Sequence, residues 1–246
     1  RIMWPFACRL GLLAALLPVI WPPAKTAQER ELYHQDFAKP ESLKEFVFTD
    51  AQAWKWSDAG GRYALELYQQ SRYRPSFRSP FNIALVAHQQ FGDFVLECDC
   101  QQTGREYGHR DMVFVFGFQG PDQFYYAHVA SKADDHANQI FIVDRAARRK
   151  LPGTTNAGNN WGLNVWHRVR LERRASTGSI RLFFDDMAKP IMEAEDKTFG
   201  LGWVGVGSFD DTGRVTNLRV RGTAATAKTV SPFPQTKPAA KPLSLR

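Results

Sequence analysis

The chain lacks most of the features that declare a fold or a chemistry at first sight. No stretch carries helical periodicity long enough to read as a helix. There is no internal repeat and no G-x-S-x-G elbow. The first absence excludes helical and α/β classes, and the last excludes a Ser/His/Asp hydrolase of the elbow type. Cysteine is scarce, at three in 246 residues. Cys8 lies in an N-terminal apolar stretch, while Cys98 and Cys100 sit two apart in FVLECDC. On a strand those two share a face about 6–7 Å apart. A disulfide needs Cβ atoms about 3.5–4.5 Å apart, so two reduced, buried thiols packing as small hydrophobes are expected. A fold stapled by disulfides is excluded.

Long apolar runs are missing too. The longest, Leu10–Trp21, has 12 residues, and a membrane-spanning helix needs about 20. With Arg1 and Arg9 around it and Ala24 and Ala27 after it, residues 1–27 read as a secretory signal peptide. No transmembrane segment is then expected in the mature chain, which would be secreted or periplasmic. Residues 223–246, rich in Ala, Thr, Pro and Lys, read as a disordered tail.

The net charge of +7 belongs to these ends. Of 32 basic residues, seven lie in 1–27 and 223–246, which leaves 25 against the 25 acidic residues, all within 28–222. A near-neutral folded part gives no reason to expect nucleic acid as a partner.

What the chain does have is strands. Short runs of alternating apolar and polar residues recur every 8–15 residues between Gly, Pro, Asn and Asp turns. That pattern predicts an all-β, two-sheet antiparallel sandwich over 28–222. Its centre is His109–Arg145, read as strands Met112–Phe118, Gln123–Ser131 and Gln139–Arg145. In the middle strand Phe124, Tyr126, His128 and Ala130 point one way, and Tyr125, Ala127 and Val129 the other. Rings and hydrogen-bonding groups on one sheet face are what a sugar needs, with C–H faces stacking while hydroxyls find partners. The alternative is that Tyr126 and His128 are core residues with satisfied polar tips.

The closing half carries WHRVRLER, GSIRLFFDD, Pro190 and GLGWVGVGSFDDTGRVTNLRV, and FGDFVLECD lies upstream. This order resembles the concanavalin A-like lectin/glucanase jelly roll, the superfamily of laminin-G-like modules and bacterial family-16 glucanases. Within it the chain looks most like the secreted 3-keto-disaccharide hydrolases. The resemblance implies a jelly-roll sandwich with a concave sheet that faces sugar. It also implies a structural calcium with Asp36 as a ligand, although Thr216 stands where the matching acid is expected.

Three functions are open: a carbohydrate-binding module for a glycan or oligosaccharide, a glycoside hydrolase using the same face, and a structural envelope domain. For hydrolysis the candidate acid/base groups are Asp111, His128 and Asp135. For binding they are Tyr126 and His128, with Arg78, Arg110, Asp135, His136, Asn138 and Arg145 around them. Tyr126 is expected to stack beneath a pyranose. The basic residues Arg78, Arg110, Lys132, Arg145, Arg148, Arg149 and Lys150 add the option of an acidic polysaccharide, since arginine forks match carboxylate and sulfate. The alternative there is that Arg145–Lys150 is a solvated loop.

Overall fold

The computed structural model describes residues 29–234, so the leader read in 1–27 and the chain beyond Pro234 lie outside the described residues. These residues form two large antiparallel sheets, and among them the helical content is two short 3₁₀ turns at Pro40–Glu45 and Ala51–Ala53. The nine-stranded sheet runs Gly153–Thr155, Met192–Glu195, Ser179–Phe184, Trp166–Arg174, Phe94–Gln102, Gly213–Gly222, Tyr63–Leu67, Trp54–Asp58. Arg30–Gln35 also pairs with Gly213–Gly222 in this sheet. The seven-stranded sheet runs Arg149–Lys150, Gln139–Asp144, Gln123–Ala130, Asp111–Gly120, Trp203–Ser208, Asn82–Val86, Phe46–Phe48.

Alternation decides what lies between the sheets. Phe94, Leu96, Cys98 and Cys100 from one sheet meet Met112, Phe114, Tyr125, Ala127 and Val129 from the other in the main core. Burial of these side chains supplies the main favourable term, at about 1.5–3 kcal/mol for each large one. Cys98 and Cys100 are free and buried, with their sulfurs 3.4 Å apart. Burial pushes the Cys100 thiol well above its ordinary pKa.

The glycine-rich strand Trp203–Ser208 has a steric cause. A Cβ on Gly205 or Gly207 would lie 2.1 or 1.9 Å from the carbonyl oxygen of Ala84 or Asn82 on the paired strand.

The outer face of the seven-stranded sheet is also apolar and also covered. Phe124, Tyr126, Val113, Val115, Phe118, Phe141 and Trp203 form a second buried cluster with Tyr73, Phe209, Val230 and Phe233. Part of that cover comes from the stretch expected to be a disordered tail, and this corrects the expectation for 223–234. Ala225–Ala227 pairs with Gln89–Phe91. The Val230 N–H bonds to the Ala87 carbonyl at 2.8 Å, and the Phe233 ring packs edge-on against Tyr73 and Phe118 at 5.6 and 5.5 Å. Two apolar residues among Pro, Thr and Lys are too few to show a period. Met192–Glu195, Arg149–Lys150 and Gly153–Thr155 are short strands as well.

Replacing Phe233 with Ala is expected to cost about 3–5 kcal/mol, seen as a lower urea midpoint at unchanged slope. A loss below about 1 kcal/mol, typical of a surface change, would mean that the C-terminal cover is not part of the cooperative fold. Both thiols should resist alkylation in the native chain and react once it is unfolded; labelling of the native protein would contradict the burial described.

Candidate functional site

With both faces of the seven-stranded sheet buried, polar groups gather where its strands end. Asp111 begins its strand and pairs in register with Ala130, so its side chain stands beside that of His128 on the outer face. Both are buried, at 0% and 4% exposure. His128 Nδ1 accepts the Asn138 N–H at 3.2 Å, so the ring proton resides on Nε2. That nitrogen lies against Asp111 Oδ2 but off the hydrogen-bond line, and Oδ2 has no aligned donor. Asp111 Oδ1 accepts from the Ser208 hydroxyl and from the Phe209 N–H.

A second buried acid, Asp211, is tied to the first. Its Oδ2 accepts the Asp111 N–H and the Tyr107 hydroxyl, each at 2.9 Å. Its own N–H bonds to Ser208 Oγ at 3.0 Å. Burial, and then the nearby Asp111 charge, push its pKa up to about 7. From sequence, Asp210-Asp211 reads as a turn pair; the loop Ser208–Gly213 instead folds back so that Asp211 plugs the end of the sandwich while Asp210 stays exposed.

Above these groups opens a cleft of about 210 Å³ lined by Arg78, Phe81, Tyr107, His109, Asp111, His128, His136, Arg148, Phe209 and Asp210. Four expected residues, Arg78, Asp111, His128 and His136, therefore meet. Phe81 and Phe209, missed from sequence, give it apolar walls in edge-to-face contact at 5.7 Å. Arg148 is half-buried, with its guanidinium 4.7 and 4.6 Å from the Phe141 and Phe209 rings and Nη1 donating to the Tyr126 hydroxyl at 3.0 Å. His109 caps the rim through Asp134 at 2.5 Å.

The other expected residues do not line the cleft. Tyr126 is fully buried and stacks on Phe141 at 5.2 Å, so no pyranose reaches its ring. This corrects the expectation of an open aromatic platform: the strand carries rings on both faces because both faces are covered. Asn138 is buried in the left-handed region at φ 54°. Its amide joins Ala130, Thr155, Asn156 and Asn159, a structural hub rather than a rim group. Arg110 is fully buried with no hydrogen bond from its guanidinium, and desolvation lowers its pKa. Asp135 is exposed and pairs with Lys150 at 2.6 Å, and Arg145 with Asp144 at 3.7 Å.

Asp36, read from the resemblance as a calcium ligand, accepts the Ala38 N–H on Oδ1 at 2.9 Å. Among the described residues no group of three or more His, Cys, Asp or Glu converges to hold a metal ion.

The nine-stranded sheet offers a competing surface, a groove of about 310 Å³ lined by Glu97, Cys98, Asp99, Arg168, Asn217 and Arg219. Its polar groups already satisfy one another. Glu97 pairs with Arg168 and Arg221 at 3.0 and 2.7 Å, and Asp99 pairs with Arg62 and Asn217. The Trp166 ring is covered by the Arg62 guanidinium at 4.3 Å. A ligand there would have to break paired charges and move an arginine, so the cleft is the better site.

No family model matches the sequence, and the search of curated proteins finds no relative. Solved structures are similar in fold. The carbohydrate-binding module CBM66 from Bacillus subtilis matches with a TM-score of 0.51 at 15% identity, over 72% of this chain and 96% of that one. The winged bean acidic lectin, complexed with methyl-α-D-galactose, matches with 0.53 at 12%, over 82% and 100%. The chain has the concanavalin A-like jelly-roll fold. The GH43 protein BlXynB from Bacillus licheniformis matches with 0.53 at 9%, over 76% of this chain and 38% of that one. Among the described residues no helix is long and apolar enough to cross a membrane.

The Asp211 pKa fixes the sign of a pH effect. The folded chain keeps a proton that an ordinary unfolded aspartate releases near 3.9. Between about pH 4 and pH 7 this group therefore makes stability fall as pH rises, and the loss levels off above about 7. Asp211→Asn should flatten that slope relative to wild type, removing a penalty of at most a few kcal/mol at about 1.4 kcal/mol per unit. Chemical unfolding at several pH values checks it; an unchanged slope would mean that Asp211 is ionised throughout.

Proposed function

We propose that the chain is an exported carbohydrate-binding module and that the cleft at the end of the seven-stranded sheet holds the glycan. The observation that carries this reading is the pairing, in one opening, of the apolar Phe81 and Phe209 rings with the polar groups of Tyr107, Asp111, Asp210, His136 and Arg148. A sugar ring presents both surfaces at once, and such pockets bind by apolar walls with a few convergent polar groups. The fold supports the reading, since a carbohydrate-binding module and a lectin share it. The apolar N-terminal run supports export.

A hydrolytic role on the same cleft is the second reading, favoured by the buried pair of Asp111 and Asp211 with the second carboxyl raised to about 7. As arranged, Asp111 spends Oδ1 on Ser208 and the Phe209 N–H, and Asp211 is not among the residues that line the cleft. Asp211 spends Oδ2 on Tyr107 and Asp111, and His128 would have to give up the Asn138 N–H to take a proton on Nδ1. Binding needs no such rearrangement.

A glycan array followed by calorimetry tests the proposal, with a reducing-sugar assay for the second reading. Phe81→Ala removes a half-buried ring from the wall and should weaken binding by roughly 1 kcal/mol, about fivefold. Unchanged affinity in that variant would place the sugar elsewhere, and release of reducing ends by the wild type would favour the hydrolase.

A further inference from the structure

Resting on the glycan reading, we infer that the cleft selects an acidic sugar, a single uronic-acid ring whose carboxylate is held by Arg78 and Arg148. In the basic loop between Asp144 and Leu151, Arg145 pairs with Asp144 and Lys150 with Asp135, while Arg149 is exposed. Arg148 turns inward instead. Its guanidinium is held against two phenyl rings and by one bond to Tyr126. The Arg148 N–H meets the Arg78 carbonyl at 3.4 Å, so two guanidinium-bearing loops adjoin at one wall of the cleft. Among the described residues neither Arg78 nor Arg148 forms an ion pair, whereas Arg62, Arg168, Arg214, Arg219 and Arg221 all do.

A guanidinium fixed on ring faces keeps its N–H edge pointed in one direction. That preorganised fork fits a planar carboxylate through two parallel hydrogen bonds. The acidic side of the cleft does not cancel it. Asp111 is engaged by Ser208, Phe209 and His128. Asp210 stands with Tyr107, whose hydroxyl reaches its Oδ1 at 3.4 Å. The cleft thus presents cations together with acceptors for sugar hydroxyls. A volume of about 210 Å³ is smaller than the sites of drug-sized ligands and suits one ring rather than a chain passing through.

The test is calorimetry on the full chain with four disaccharides of one backbone: uronate, its methyl ester, the neutral parent and a sulfated form. The uronate should bind at least tenfold tighter than the ester and the neutral parent. Arg148→Met should erase that preference and Arg148→Lys should fail to restore it, because a point charge lacks the fork. Arg78→Met, at an exposed side chain, should lower the preference without disturbing the fold, which a matching thermal melt would show. Equal binding of acid and ester overturns the inference and leaves the glycan reading standing. Binding of the sulfated form alone also overturns it, in favour of a sulfate ester. No binding of any of the four overturns the inference; if the glycan array is blank as well, the glycan reading falls with it.

Discussion

Burial of the seven-stranded sheet on both faces constrains the rest of the molecule. An antiparallel sheet in a sandwich commonly keeps one face for water, and a sugar-binding protein could use that face as its platform. Here the outer face carries Phe118, Phe124, Tyr126, Phe141 and Trp203, too much apolar area to leave wet. The chain covers it with the segment around Tyr73 and with the strap ending in Phe233. What stays accessible is the end of the sheet, where Asp111 starts its strand and the Ser208–Gly213 loop folds over. The cleft is a product of that closure.

Closure also sets the electrostatics. Asp111 and Asp211 lie close together in a poorly solvated place, held by Ser208, Tyr107 and backbone N–H groups. Burial first, and then the neighbouring Asp111 charge, disfavour the ionised form, and the raised pKa of Asp211 is the outcome. The pair fastens the 208–213 loop to the strand start and so fixes Phe209 and Asp210 as walls. Arg148 is held against the Phe209 and Phe141 rings, by ring faces rather than carboxylates. A site whose walls are set by buried contacts binds without ordering loops, which lowers the entropic cost of association.

Much of the fold was legible in the sequence. The three central strands stand within a residue or two of where alternation and turn residues place them. The free, buried thiols follow from strand geometry. The candidate cleft was legible in part. Arg78, Asp111, His128 and His136 line one opening, but alternation alone cannot distinguish a wet aromatic face from one covered by a distant segment. That is why Tyr126 and Asn138 read as ligand groups and are structural. Phe81 and Phe209 carried no local signal, since each enters the cleft from a loop brought in by long-range packing. The strap was hidden by composition, because Pro, Thr and Lys outnumber the two residues that dock it.

The central claim is the location of the ligand, and chemical-shift mapping tests it most directly. Two-dimensional amide spectra of the isotope-labelled chain would be titrated with a glycan found on the array. The expected result is shifts concentrated at Tyr107, Asp111, His136, Arg148, Phe209 and Asp210, with the nine-stranded face silent. Shifts confined to Glu97, Asp99, Arg168 and Asn217 would place the sugar on the opposite sheet and contradict the cleft as the binding site.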